Sequence, residues 1–171
     1  MKVAHVAMNT LIWEAAVMLW IIGLVELGVD KRHDPKDFGW VLLTGGLMET
    51  IALAFLISAG DMFGATAAAA FILLLWALGA GLVAGTNRAV QNHAVWFTGI
   101  YFLCAAWFTG THHLITLTVM FALLVPITWL LSLANYTGKH GLAKIAGFLS
   151  IIDSVLFFVW AFATAIGHHL P

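Results

Sequence analysis

Six stretches of apolar sequence, each near the length needed to cross a bilayer and separated by short polar breaks, leave this chain few ways to fold. They are Leu11–Gly28, Gly39–Ala59, Gly64–Gly85, Ala94–Gly110, Leu114–Tyr136 and Leu142–Ile166. A hydrocarbon core ~30 Å thick takes roughly 20 apolar residues per helix. Lipid offers the backbone no hydrogen bonds, so each run must satisfy its own as a helix. The breaks, Val29–Phe38, Gly60–Phe63, Thr86–His93, Thr111–His113 and Thr137–Gly141, are short enough to set successive helices antiparallel in one bundle. The expected fold is therefore an all-α membrane protein of six transmembrane helices, with residues 1–171 forming a single domain. The alternating segments of roughly ten residues that mark a β-barrel do not occur.

Composition excludes the other classes. Hydrophobic residues make up 63% of the chain and charged residues 9%, where a soluble domain carries about 45–50% and about 25%. A soluble domain, a disordered chain and a nucleic-acid binder of the basic-patch type all need more charge than this. Cys104 is the only cysteine, so there is no internal disulfide and no cysteine-based metal site. The first run is interrupted by Glu14, preceded only by Lys2 and followed by no Ala-x-Ala-like site, so it reads as a first transmembrane helix rather than a signal peptide.

Lysine and arginine give an orientation. Lys31, Arg32 and Lys36 lie in the first break, Arg88 in the third, and Lys139 and Lys144 in or just beyond the fifth, whereas the opposite side holds only Lys2. The odd-numbered loops are thus expected in the cytoplasm and both termini outside. That places His112 and His113, and His168 and His169 in the tail, on the outer face together with His5. Histidine titrates near pH 6.5 when unperturbed, so these residues are candidate pH sensors; as a second reading, they anchor helix ends at the interface. A metal site is not expected, because adjacent histidines on a regular helix cannot face one ion and no carboxylate accompanies them.

Three carboxylates fall inside predicted helices: Glu14, Glu49 and Asp153. An acidic residue facing lipid at the bilayer centre costs about 2.5–3.5 kcal/mol, so all three should face a neighbouring helix or a polar route. They either serve a permeating solute or proton, or lock helices together by hydrogen bonds. Gly45-Gly46 and Gly79-x-Gly81-x-x-x-Gly85 are small-residue patterns that let helices approach closely. Pro126 frees a backbone carbonyl in the fifth helix. Of the eight tryptophans, Trp40, Trp96 and Trp107 lie near helix ends, as in an aromatic belt, while Trp13, Trp20, Trp76, Trp129 and Trp160 include deeper ones. No nucleophile–base pair, phosphate loop or cofactor-ligand spacing is present, so neither an enzyme nor a bound cofactor is expected.

Several segments resemble the AmiS/UreI family of small six-helix channels for urea and short-chain amides. Gly23-Leu24-Val25-Glu26-Leu27-Gly28 is similar to the segment that ends the family's first helix, and Asp34-Pro35-Lys36 to a loop triplet of urea channels, with Gly45-Gly46-Leu47 beyond it. Leu142-Ala143-Lys144-Ile145-Ala146-Gly147-Phe148-Leu149-Ser150-Ile151-Ile152-Asp153 resembles the start of the family's last helix, Asp153 standing at its acidic position. The sequence departs from the pattern at Glu14, Ile22, Ala122 and Val125. The resemblance implies a bacterial inner-membrane channel, a hexameric ring with one pore per protomer, and a small neutral solute, urea or an amide, passing passively and subject to acid gating. It further implies a constriction among Met18, Trp76, Val125 and Trp129, with Glu14, Glu49 and Asp153 as hydrogen-bonding groups at the vestibules. A second resemblance, Gly45-Gly46-x-x-Glu49 followed by Phe63-Gly64-x-Thr66, is to the acetate–succinate permease family. It implies a monocarboxylate channel or a proton-linked transporter. A membrane sensor or scaffold without transport is the reading from a different class.

Overall fold

A computed structural model describes residues 2–29, 34–85 and 88–167; His168, His169 and the basic residues Lys31 and Arg32 lie outside them. Six helices follow one another: α1 (Lys2–Leu27), α2 (Pro35–Ser58), α3 (Met62–Ala84), α4 (Arg88–Thr111), α5 (Ile115–Thr137) and α6 (His140–Ala165). Each contains a span long and apolar enough to cross a membrane. Their ends carry local signals. Asp34 caps α2 by accepting from the Lys36 amide at 2.8 Å, with Pro35 in the first turn, and Asp61 caps α3 through the Gly64 amide at 2.8 Å. Gly138 closes α5 in the left-handed region at φ +68°, where its amide donates to the Ala134 carbonyl at 2.8 Å. Gly138→Ala is expected to cost about 1 kcal/mol because an L side chain is strained there, measurable as a lowered melting temperature in detergent.

Two helices begin well before the apolar pattern does. α1 starts at Lys2 rather than Leu11, and α4 at Arg88 rather than Ala94. Polarity alone predicts a loop through His93. It holds neither proline nor glycine, and nothing in it prevents the helix from continuing past the apolar stretch. α5 runs unbroken through Pro126.

Close approaches fix the topology. Gly39 meets Gly79 backbone to backbone, Gly23 meets Gly147 and Ile151, Gly45 meets Met18, and Gly99 makes room for the Trp129 indole. Along α1 and α6 the paired numbers run in opposite senses, Trp13 with Phe158, Ala16 with Ser154 and Gly23 with Gly147, so these helices are antiparallel. The same holds for α2 with α3 and α4 with α5. Every helix packs on its neighbours in sequence and α6 closes on α1, so the six form a ring around one axis. An even number of antiparallel helices brings the start of α1 and the end of α6 to one end of the bundle, with the connections after α2 and α4. The connections after α1, α3 and α5 share the other, basic end.

Outward faces are apolar. Phe97, Trp107 and Phe162 are exposed there, and hydroxyls are satisfied within their own helices: Thr10 bonds the Val6 carbonyl, Thr44 that of Trp40 and Thr66 that of Met62. That arrangement suits lipid, which cannot hydrogen-bond a hydroxyl.

Candidate functional site: an axial path closed by an apolar plug

Two cavities lie inside the ring, one toward each end. At the basic end a cavity of about 150 Å³ is walled by Ile22 and Val25 of α1, Phe38 and Leu42 of α2, and Leu78 and Leu82 of α3, with Glu26, Gln91 and Asn135 as its polar groups. Gly81 leaves the space that the Gln91 side chain occupies against α3. At the terminal end a smaller cavity of about 60 Å³ is wholly apolar, bounded by Ala15, Phe63, Phe71, Met120, Phe121 and Phe157 among others.

Helical register places a closed layer between them. On α1, Leu19 follows Ala15 of the terminal-end cavity and precedes Ile22 of the basic-end one. On α3, Leu74 sits between Phe71 and Leu78, and on α5 Leu124 sits between Phe121 and Leu131. Positions separated by three, four or seven residues share a helix face, and Leu19, Leu74 and Leu124 are all buried. Phe102 of α4, also fully buried, packs at 5.1 Å from Phe71 and 6.2 Å from Phe121, ring centre to ring centre, and Phe157 reaches Phe71 at 6.1 Å. A narrow apolar layer of this kind resists wetting and bars hydrated ions.

The buried carboxyl groups lie at mid-helix. Asp153 is one turn from Phe157 on the same face of α6, which sets it level with the plug. It is fully buried, and neither carboxyl oxygen has a hydrogen-bond partner among the described residues. Its neighbour Ser154 is engaged, donating to the Ala16 carbonyl at 2.7 Å. Glu49 is likewise fully buried and unpartnered, on the face of α2 that carries Leu42 two turns away. Glu14, partly buried on α1, is near enough for the two carboxyl groups to influence one another electrostatically.

The remaining sequence candidates fall at helix seams. Met18 fills the space over Gly45, and Trp76, 46% exposed, lies across Gly46 on the outside of the ring. Trp129 stacks on Trp96 at 5.1 Å and donates from Nε1 to the Trp96 carbonyl at 3.2 Å, while Val125 is buried one turn away. None of the seven expected pore residues, Glu14, Met18, Glu49, Trp76, Val125, Trp129 and Asp153, lines either axial cavity. Leu124 and Phe102 lie in the apolar layer between the cavities, Phe71 and Phe121 border it, and Gln91 and Asn135 are polar groups of the basic-end cavity; none of these is singled out by the sequence. A polar residue inside an apolar run was the available signal for Asn135, and Gln91 was hidden in a segment read as loop. His112 and His113 form the exposed α4–α5 turn, where His112 Nδ1 donates to the Phe108 carbonyl at 2.8 Å and His113 takes φ +60°. Among the described residues, no three His, Cys, Asp or Glu side chains come together as a metal site.

No protein-family model matches the chain, and neither does any curated protein. Among solved structures, the fold is similar to that described as the structure of the bacterial acetate channel SatP. The TM-score is 0.64 at 17% identity, covering 96% of this chain and 97% of that one. The all-helical, six-span architecture is thus that of a known membrane channel.

Proposed function

We propose that the chain is a passive channel for a small neutral solute, urea or a short-chain aliphatic amide, which crosses along the axis of each protomer. The observation that carries this reading is the axial path itself. The two cavities lie on either side of a layer of buried apolar side chains, and the basic-end vestibule carries one carboxylate and two amide-bearing side chains but no cationic group among its described lining. A lining that carries a carboxylate and, among the described residues, no cationic group favours a neutral solute over an anion, and urea and amides find hydrogen-bonding groups there. Asp153, level with the plug, is the group that hydrogen-bonds the solute at its driest point; Glu49 and Glu14 form a second polar position between α1 and α2. The similarity of the fold to that of a known channel supports transport over catalysis. In this reading the protomers form a hexameric ring in a bacterial inner membrane, termini outward by the basic-loop asymmetry, and His112 and His113 are the described candidates for acid gating.

Leu124→Ala opens the plug. It is expected to raise acetamide entry into proteoliposomes several-fold, while costing about 2–5 kcal/mol of stability as a large-to-small core change. Unchanged entry in folded protein would mean that solute does not follow the axis.

The fold similarity to an acetate channel supports a second reading, a monocarboxylate channel or proton-linked transporter. There the carboxylate crosses together with a proton, and Glu14 or Glu49 is the proton-carrying group.

A further inference from the structure

The Gly79-x-Gly81-x-x-x-Gly85 pattern of α3 contains one glycine whose purpose is not a helix contact or a cap. Gly79 meets Gly39 backbone to backbone, and Gly85 ends the helix at φ +63°. Gly81 is buried, yet what lies over it is the end of a single side chain. The carboxamide of Gln91, with Cδ, Oε1 and Nε2, occupies the place where a Cβ would stand. A glycine inside a helix is destabilising relative to alanine, and here the missing methyl leaves a seat for an amide.

That seat belongs to the wall of the basic-end cavity. Gly81 shares a face of α3 with Leu74 and Leu78; Leu78 and Leu82 line the cavity, as does Gln91 itself. α3 and α4 run antiparallel, so Phe71 meets Phe102 beside the apolar layer and Gly81 meets Gln91 nearer the basic end. A larger residue at 81 would displace the amide and continue the apolar wall. Glu26 from α1 and Asn135 from α5 reach the same cavity. Oxygen atoms of Glu26, Gln91 and Asn135 can accept from N–H groups, and Gln91 Nε2 and Asn135 Nδ2 can donate to a carbonyl. The space is about 150 Å³, in which a urea-sized solute fits, since one water-sized group needs roughly 10–15 Å³.

We propose that Gln91, positioned by Gly81, makes this cavity select primary amides and urea over solutes of equal size with fewer N–H groups. Gln91 Oε1 accepts from a solute N–H, and Gly81 is a positioning residue that touches no solute. The inference rests on the reading of the chain as a neutral-solute channel and adds to it a choice among neutral solutes. Stopped-flow light scattering on proteoliposomes of the full chain tests it, with acetamide and its isomer N-methylformamide, which has one N–H fewer. Each rate is corrected for protein-free vesicles. Wild-type protein is expected to admit acetamide about five-fold faster, the equivalent of one hydrogen bond. Gln91→Leu and Gly81→Ala should each lose most of that preference. Gly81→Ala keeps the glutamine but moves it, and only the far end of a flexible side chain has to give way. Its melting temperature should therefore equal or exceed that of the wild type, and either variant carries the test if the other fails to assemble. A wild-type preference retained in a folded variant would overturn the proposal, because a purely structural role changes the amount of active protein and not the ratio of two solutes. Equal entry of both solutes through wild-type protein would overturn it as well, while leaving the neutral-solute reading in place. No protein-dependent entry of either solute would overturn that reading and this inference together.

Discussion

Asp153→Leu yields a folded protein that has lost most of its solute flux. Both halves of this expected result come from the same geometry. The carboxyl is fully buried with no hydrogen-bond partner among the described residues, and an acidic residue at a bilayer centre costs about 2.5–3.5 kcal/mol on insertion scales. Leucine is of comparable size and removes that cost, so the melting temperature in detergent should equal or exceed that of the wild type. The flux falls because the plug is otherwise apolar at this level. Losing one hydrogen bond to a solute that has shed its water costs about 1–2 kcal/mol in the barrier, or about ten-fold in rate. Stopped-flow entry of acetamide into proteoliposomes, normalised to the amount of correctly assembled protein, measures it. A stabilised variant with wild-type flux would assign Asp153 to helix packing alone.

The second large effect is structural. A Cβ added at Gly79 would lie 2.8 Å from the Gly39 carbonyl oxygen and 3.0 Å from the Leu43 amide nitrogen, and one added at Gly39 would lie 2.9 Å from the Gly79 carbonyl oxygen. These neighbours are backbone and cannot rotate away, so α2 and α3 must separate. Gly79→Val is expected to destabilise by about 3 kcal/mol, the upper part of the range for overpacking, and to lower the melting temperature in detergent accordingly. Gly141 is the internal comparison. Nothing lies within 4 Å of its would-be Cβ, and Gly141→Ala should be neutral or slightly stabilising through the lower entropy of the unfolded chain. Similar melting temperatures for the two variants would remove the close α2–α3 contact from the account.

How much of this was legible in the sequence depends on which physical signal each feature leaves. Apolar runs report lipid burial directly, so six helices could be counted, and the glycine patterns of α2 and α3 pointed to the close contacts now seen at Gly45, Gly46 and Gly79, whereas Gly85 caps α3 with nothing within 4 Å and Gly39, which meets Gly79, left no signal of its own. The same criterion hid the first turns of α4, because Gln91 and Asn92 are polar yet helical. Helix facing was not legible. In a soluble bundle the polar face marks the outside, but here lipid and core are both apolar, and Leu74, which is buried, and Leu73, which is exposed, look alike in sequence. Tryptophans therefore drew attention as pore residues, whereas Trp76 covers Gly46 on the outside and Trp129 pairs with Trp96 between α4 and α5. Carboxylates in a membrane helix leave a stronger signal, because their cost forces them inward. Glu49 and Asp153 are indeed fully buried.

The central claim concerns charge: the axis admits a neutral hydrogen-bonding solute and excludes its isosteric anion. Acetamide and acetate have nearly the same size and shape, so their comparison isolates that term. The decisive measurement is stopped-flow light scattering on proteoliposomes at about pH 7, where acetate is almost wholly ionised, repeated at about pH 5 to span histidine titration. The account predicts acetamide and urea entry well above protein-free vesicles at neutral pH, with acetate no faster than the protein-free control. Protein-dependent acetate entry at neutral pH, with acetamide at the protein-free rate, would contradict it.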